Sequence, residues 1–418
     1  MKKLALAVFA GITFTSAVAA LVGTPNIAVA AAAFKDVSST HWAKASIDAA
    51  VNKGYLKGYS DGTFRPNAPV TRAEFAAILS RVSTNQIVDG KGSFADLKGN
   101  WSEQEVTKAL GMGFMSPSDY PGGFKPSTQL TRREMAKWMA SGLASAQEDF
   151  QKALEDTKDT LVPVAEYYKG GLDKVDYPYV SVALGTGLMN GYEDGSFGTA
   201  KTTTRAEVAA ILSRYEEVQK KEASSFRDLN EMREVGLTGT NLTSLTPYQY
   251  GTVAKTGEVA DFKQIKDIPY KLRNNLGTQT IHRMIVVDAT TDKKPKNLYG
   301  KMFIDKKFTG FVDAARYNVF IETTVTPNGD NMNNLAFANA NGDRLMSGSN
   351  FTSETLEKYG VNALPKREFI NSGFFKKRKA QRFWMEGTIS KYYVPDSQSE
   401  GMTVNGKHLL FFIPKPSK

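Results

Sequence analysis

Val70-Thr71-Arg72-Ala73-Glu74 recurs as Leu130-Thr131-Arg132-Arg133-Glu134 and again as Thr203-Thr204-Arg205-Ala206-Glu207. In each copy Thr precedes Glu by three residues and apolar residues follow at helical spacing, the capping-box signature of an amphipathic helix start. The helices read Phe75, Ile78, Leu79, Val82; then Met135, Trp138, Met139, Leu143; then Val208, Ile211, Leu212, Tyr215. Helix initiation accounts for Thr and Glu but not for Arg. A cation in the first turn faces the positive end of the helix dipole, at a cost of roughly 0.3–1 kcal/mol when exposed. Free amides at a helix start plus a guanidinium fork suit a carboxylate or phosphate. Pairing with a nearby Asp, or covering apolar surface with the side-chain stem, would explain any single copy equally well. Recurrence points to a shared task.

Working outward, each copy closes a longer unit. The first runs from Phe34-Lys35-Asp36 and Trp42 through Ile47, Ala50 and Val51 to Gly54, then through Gly58-Tyr59-Ser60-Asp61-Gly62-Thr63-Phe64-Arg65-Pro66 to the Thr71 helix. The second repeats it with Phe94-Ala95-Asp96, Trp101, Val106, Leu110, Gly113 and the loop Tyr120-Pro121-Gly122-Gly123-Phe124-Lys125-Pro126. In the third, Val180, Leu184 and Gly187 match and Gly191-Tyr192-Glu193-Asp194-Gly195-Ser196-Phe197 forms the loop, but the Trp position holds Val175 and no Phe-x-Asp stands in register. Gly54, Gly113 and Gly187 fit left-handed helix C-caps. Such helix pairs are too small to bury their own apolar faces, so the units must stack or close against one another, three of them in a pseudo-threefold ring. Ser145 to Thr160 reads as a solvated helical connector, and a domain boundary falls near residues 222–225.

Lys2-Lys3, the apolar run from Leu4 and the small-residue site Ala28-Val29-Ala30 read as a secretory signal peptide over residues 1–30. No later apolar run is long enough to span a bilayer. The sequence contains no cysteine, which excludes disulfides, thiolate chemistry and a lipid-modified Cys. A net charge of +10 fits either a plain basic protein or one with affinity for an anionic polymer, for an exported chain a wall glycan rather than nucleic acid.

These units resemble the S-layer homology family: three tandem modules over about residues 34–82, 94–144 and 162–219, within a region 31–222, each with the Thr-Arg-x-Glu helix start and a Gly-Tyr-x-Asp-Gly-x-Phe loop or a variant of it. The resemblance implies an all-α three-module bundle that binds secondary cell-wall polysaccharide of Gram-positive bacteria, often through terminal pyruvylated N-acetylmannosamine. A secreted protein held at the cell wall or in an S-layer, without a cofactor or metal, is the corresponding expectation. Pyruvate ketals present a carboxylate for Arg, and a sugar face can pack on Trp. Carried over, the binding residues are Asp36, Trp42 and Arg72, then Asp96, Trp101 and Arg132, then Arg205 without an aromatic partner. The groove of Arg205 is therefore expected to be the weak one. Trp42 and Trp101 also fit as core residues at helix starts, Asp36 and Asp96 as caps, and Arg133 as a solvent-facing side chain.

Beyond Ser225 the pattern turns β-rich, with strands expected at Thr280–Val287, Tyr299–Ile304, Arg316–Val325, Phe383–Ile389 and Leu409–Ile413, and hairpin signals at Asn328-Gly329, Asn341-Gly342 and Asn405-Gly406. The expectation for 225–418 is a mostly antiparallel β domain, a sandwich or barrel. Phe226-Arg227-Asp228-Leu229 echoes the opening of the first two units without a following Trp or glycine loop. Lys376-Lys377-Arg378-Lys379, with Arg382 after it and Phe374, Phe375, Phe383 and Trp384 around it, is the densest basic cluster; it suits wall polymer, anionic lipid or nucleic acid, and a solvated loop leading into a strand is its plain reading. No nucleophile elbow, phosphate-binding loop or His-Glu-x-x-His is present. Asp288, Glu322 and Glu386 are the carboxylates nearest to a glycosidase-like arrangement, with no spacing that pairs them. A non-enzymatic anchored surface protein is the leading expectation. The alternatives are a wall-active or glycan-cleaving enzyme on the same anchor, and a self-associating lattice component.

Overall fold

The computed structural model describes residues 34–251, 261–330, 332–341, 350–365, 373–395, 400–405 and 407–415. The signal-peptide reading of residues 1–30 and the glycines of Asn341-Gly342 and Asn405-Gly406 lie outside these.

Each repeat forms the expected helix pair: α1 (Lys44–Asn52) with α2 (Arg72–Val82), α3 (Glu103–Gly111) with α4 (Arg132–Ala146), and, after α5 (Glu148–Asp156) and α6 (Ala165–Lys169), α7 (Tyr177–Gly185) with α8 (Arg205–Val218). Thr71, Thr131 and Thr204 are extended N-cap residues with complete capping boxes; their amides donate to Glu74, Glu134 and Glu207 at 2.8, 3.1 and 2.8 Å. Gly54, Gly113 and Gly187 follow the first helices at φ of +74°, +81° and +70°, the left-handed stop that the sequence required.

The second helix of each module packs on the first helix of the next: α2 on α3, α4 on α7, and α8 back on α1. Backbone hydrogen bonds between the helix starts follow the same circuit. The Leu130 amide donates to Val70 O at 2.8 Å, the Thr203 amide to Leu130 O at 3.1 Å, and the Val70 amide to Thr203 O at 3.0 Å. Phe64, Phe75, Phe114, Phe124, Trp138, Phe197 and Tyr215 are fully buried between the modules.

The connector is less solvated than its sequence suggests. Phe150 and Ala153 of α5 are fully buried, and Arg233 spans Asp149 and Asp156 at 3.0 and 2.8 Å. Arg233 lies on α9 (Arg227–Thr238), which opens at the Phe-x-Asp echo and packs on α5 and α7; a Cβ on Gly185 would sit 2.6 Å from Leu229 Cα. The expected boundary near 222–225 is therefore a turn in the chain and not a break in the core.

The remainder comprises the short α10 (Leu242–Leu245), α11 (Asn334–Asn341) and α12 (Ser353–Tyr359) and two antiparallel sheets. One is ordered β2 (Pro269–Lys271), β3 (Gly277–Val287), β4 (Arg316–Pro327), β5 (Gln381–Ser390); the other is β1 (Gln249–Tyr250), β7 (Lys407–Phe412), β6 (Glu400–Val404). Alternation along the larger sheet serves two cores. Ile285, Val287, Phe320 and Trp384 join the core of the helical region, whereas Met284, Val286, Val319, Ile321 and Met385 share a second core with Met402, Leu409 and Phe411 of the smaller sheet.

Tyr299–Ile304 is not a strand. The 3-10 stretch Leu298–Met302 covers most of it, because Tyr299 turns into the helical core and donates to Leu161 O at 2.9 Å. Asn328-Gly329 makes no hairpin either: the Asn328 amide closes on Leu276 O at 2.9 Å and the chain leaves toward α11. Asn405, at φ +51°, does turn β6 into β7.

Tyr167 and Tyr168 of α6 fix the large sheet to the third module. Tyr168 Oη donates to Glu322 at 3.0 Å and accepts from Trp384 Nε1 at 3.1 Å, while Arg283 Nη2 donates to Tyr167 Oη at 2.8 Å. Burial alone would raise the Glu322 carboxyl, but Arg283 and Arg382 hold it below its usual range.

At the same junction Glu231 of α9 is completely buried. Its Oε2 accepts from Asn241 and Asn297 at 3.0 and 2.8 Å, and among the described residues its Oε1 accepts no hydrogen bond, with Arg227 Nε 3.9 Å away. Burial pushes its carboxyl up to about 7, against the pull of the two amides. A raised folded-state value means that the protonated group's stabilising contribution is complete below the unfolded value near 4.5 and is lost as pH rises through about 7. Glu231→Gln should therefore flatten the pH dependence of stability between those limits. Denaturant melts at pH 5 and pH 8.5 should show the wild type losing on the order of 2–3 kcal/mol more than the variant.

Candidate functional site

Each of the three seams between modules sets the repeated Arg of one module against the glycine loop of the next. At the seam of α2 and α3, Arg72 Nη1 donates to Phe124 O at 2.9 Å and Arg72 Nε to Glu134 Oε1 at 2.7 Å, with the guanidinium 4.7 Å from the Tyr120 ring. At the seam of α4 and α7, Arg132 donates to Phe197 O and Asn190 O at 2.8 and 2.6 Å and lies 4.8 Å from the Tyr192 ring. At the seam of α8 and α1, Arg205 donates to Phe64 O and Lys57 O at 2.8 and 2.6 Å and lies 5.1 Å from the Tyr59 ring.

Helix geometry explains why Arg stands there. The first-turn amides of α2, α4 and α8 are already taken by carbonyls of the neighbouring loop. Ala73 donates to Pro126, Arg133 to Thr199 and Ala206 to Pro66. The guanidinium extends the same set of donors across the seam, and carbonyl acceptors offset its unfavourable place in the first turn.

The seams differ in charge balance. Arg72 forms an ion pair with Glu134 at 2.7 Å. Among the described residues Arg132 and Arg205, 5% and 7% exposed, form no ion pair within 4.0 Å, so each places a mostly buried positive charge against carbonyl dipoles and aromatic ring faces. Burial accordingly lowers the Arg205 pKa from its ordinary value.

Asp36 and Asp96 hold the loops. Asp36 accepts from the Phe64 and Arg65 amides at 2.8 and 2.7 Å, and Asp96 from the Phe124 and Lys125 amides at 3.0 and 2.7 Å. Burial opposes ionisation of Asp36, but its two amides keep the carboxyl below the usual range; for Asp96 the Lys125 amide is the largest influence in that direction. The third module fills this role with Glu166, which accepts from the Phe197 and Gly198 amides at 2.9 and 2.6 Å. Sequence comparison misses it because Asp36 and Asp96 stand 28 residues before their loop Phe, and Glu166 stands 31 before its own. The longer side chain spans the added distance from another helix.

Trp42 and Trp101 are 67% and 65% exposed, which decides against a core role; Val175, in the same position, is 75% exposed. Trp101 follows the loop anchor of the Arg72 seam and Trp42 that of the Arg205 seam. By module, the loop that Arg205 grips belongs to the unit with Trp42, the loop that Arg72 grips to the unit with Trp101, and the loop that Arg132 grips to the unit without Trp. Arg133 does not simply face solvent: it donates to Gly171 O and Asp173 at 3.2 and 3.1 Å and approaches Asp176 at 3.4 Å, clasping the loop that carries Val175.

The carboxylates of the β-rich half do not form a pair. Asp288 binds Lys391 and Lys296, Glu322 binds Arg283 and Arg382, and Glu386 accepts from Asn350. No helix among the described residues is long and apolar enough to cross a membrane.

The repeats coincide with the model of the S-layer homology domain, which matches residues 33–76, 93–136 and 172–209. The chain carries three S-layer homology domains. The third match begins after Glu166, consistent with that anchor lying outside the shared pattern. Relatives include cell surface glycoprotein 1 of Acetivibrio thermocellus, 36% identical over 26% of this chain and 5% of its own length, and the S-layer protein of Bacillus licheniformis, 30% identical over 56% and 26%. The cellulosome-anchoring protein of Acetivibrio thermocellus is 31% identical over 24% of each chain. The chain thus spans about a quarter or less of the length of these relatives. Its S-layer homology domains mark it as a secreted, cell-surface protein.

Removing a loop anchor breaks two charge-assisted hydrogen bonds to half-buried or exposed loop amides, at about 1–2 kcal/mol. Asp36→Ala, Asp96→Ala and Glu166→Ala should each lower the unfolding free energy by that order in denaturant titrations. Lys169→Ala, the position in strict register with Asp36 and Asp96, should leave it unchanged within about 0.5 kcal/mol.

Proposed function

We propose that the three S-layer homology domains form a pseudo-threefold bundle that holds the protein non-covalently on secondary cell-wall polysaccharide, with the β-rich half carried on the third module. The observation that supports this best is the pair of exposed tryptophans, each in a module whose glycine loop is gripped by a neighbouring module's Arg. An indole left in water at each of two equivalent positions costs apolar hydration that a sugar face would relieve. The guanidinium supplies charge for the carboxylate of a pyruvylated N-acetylmannosamine terminus.

On this reading the seams are unequal. The Arg205 seam combines an exposed Trp42 with a buried cation that no described carboxylate pairs, and is the strongest candidate. The Arg72 seam has Trp101, but Glu134 already offsets its cation. The Arg132 seam has its cation, lacks Trp and is spanned by Arg133. The full ligand set proposed is Trp42, Arg205 and the Asp36-anchored loop, with Trp101, Arg72 and the Asp96-anchored loop second. The carboxylates act by shaping the loops and not by touching sugar.

Sedimentation of the full chain with native cell walls tests this. Trp42→Ala should weaken binding roughly tenfold or more and Trp101→Ala less, as expected for an aromatic anchor at a binding surface; Val175→Ala should leave it unchanged. Equal binding to walls stripped of the pyruvylated polymer would overturn the proposal, and an undiminished Trp42→Ala variant would overturn the ranking.

A further inference from the structure

The end of the large sheet where β3 begins gathers three turns. Strand register brings them together: Lys271 pairs with Thr278, Gly277 with Pro327 and Val325 with Gln381. Hydrogen bonds then tie turn to turn. Asn328 Nδ2 donates to Asn275 O at 2.8 Å, and the Arg378 amide to Pro327 O at 2.8 Å. On this end stand Lys271, Arg273, Lys376, Lys377, Arg378 and Lys379, all exposed. Among the described residues of these turns the one carboxylate is Asp330, no nearer than 3.9 Å to Lys377 Nζ.

The basic run was open to reading as a loose solvated loop, but its base is fixed. Phe375 is buried beneath it, with Phe337, Phe374 and Phe383 at ring distances of 5.2, 5.1 and 5.8 Å. Gln381 Nε2 donates to Phe374 O at 2.7 Å, and the Lys379 amide closes the turn on Lys376 O at 3.0 Å. Arg378 is held at φ +55°, and Asn274 and Asn275 of the facing turn at +57° and +54°. A left-handed non-glycine residue costs roughly 1–2 kcal/mol. Like charges fixed side by side also repel, so the unliganded chain gains nothing from this arrangement.

We propose that this end of the β sheet is a second binding surface, taking a polyanion with repeated phosphates, and that its occupant is a phosphodiester-bearing polymer of the cell wall. The chemistry rests on the charge cluster alone, and only the wall as source rests on the anchoring function proposed above. A bilayer surface is the weaker fit. Among the described residues none of the three turns exposes a large apolar side chain for insertion, and on the neighbouring α11 the exposed one is Leu335. The contacts are made by flexible cations to phosphate oxygens, so binding depends on salt and not on sugar identity.

Inorganic polyphosphate, titrated into the full chain by calorimetry at 50 and 200 mM salt, is the test. Three or four phosphate contacts should weaken binding roughly ten- to a hundred-fold between those concentrations. The variant with Lys376, Lys377, Arg378 and Lys379 all changed to Gln should lose at least about tenfold in affinity at low salt and flatten the salt dependence. Lys376→Gln/Lys377→Gln, which leaves the left-handed Arg378 in place, should lose part of it should the fourfold variant misfold. Neutralising four exposed lysines elsewhere, Lys152, Lys158, Lys220 and Lys294, should change little. Trp42→Ala/Trp101→Ala should bind polyphosphate as the wild type does while losing native walls, which separates this surface from the seams. Equal loss in both fourfold variants, or no binding of polyphosphate at all, would overturn the surface. Tighter binding to phosphatidylglycerol vesicles than to polyphosphate would overturn its assignment to a wall polymer.

Discussion

The helical region depends on donors crossing from one module to the loop of the next. A helix start offers first-turn amides with no partner inside the helix, and a glycine loop offers carbonyls with none inside the loop. Neither module can satisfy both sets alone. In this chain the amides of residues 72, 73, 132, 133, 205 and 206, together with three guanidinium groups, meet carbonyls of the following module, and the third module returns to the first. A missing module would leave one helix start and one loop unmatched, so the three repeats fold as a set. The binding proposed above draws on the same guanidinium groups and loops, so one interaction would serve both the fold and that binding.

The third module departs from this plan where it carries another load. Its loop anchor has moved from a Phe-x-Asp turn to Glu166 on α6, and the next two residues, Tyr167 and Tyr168, hold the large sheet through Arg283, Glu322 and Trp384. The loop anchor and the sheet anchor are therefore consecutive on five residues of helix. On the far side of the loop, a Cβ on Gly195 would lie 3.1 Å from the Tyr359 ring of α12, so the β-rich half also closes on the loop's own turn. With the Trp position reduced to Val175 and Arg133 clasping its loop, this module serves attachment of the β-rich half more than an open groove.

The parts of this fold governed by local chemistry were legible in the sequence. Capping boxes at Thr71, Thr131 and Thr204, stops at Gly54, Gly113 and Gly187, and the strands that became β3, β4, β5 and β7 are set by residues close in sequence, and they occur where the spacing places them. What failed was decided by distant partners. Tyr299 looks like a strand residue until the α5–α6 connector offers it Leu161 O. Asn328-Gly329 looks like a hairpin until Leu276 takes the Asn328 amide. At the site, the residue types were legible but their pairing was not: a linear reading joins Trp42 to Arg72, whereas the seams join Trp42 to Arg205 because helices pack on the next module. Glu166 was illegible for the same reason, since a side chain one methylene longer can do from position 166 what Asp does in register.

That crossover changes which groove should be strong, and charge decides it more than aromatic content alone. A guanidinium already paired with a carboxylate gains less from a ligand anion, since the second anion must repel the first at close range. Arg72, with Glu134 at 2.7 Å, is in that position. Arg205 is held by two carbonyls, which orient it without cancelling its charge, and burial depresses its pKa because that charge is incompletely compensated. A ligand carboxylate reaching it would relieve the cost of burial as well as gain an ion pair. Arg132 is likewise held by two carbonyls, but the module it grips lacks a Trp, and Arg133 pairs with Asp173 and Asp176 beside Val175. On the binding proposed above, the same guanidinium that locks the modules together would act on a ligand where no carboxylate lies within ion-pair distance and the module it grips carries an exposed Trp, which selects the seam where the third module closes on the first.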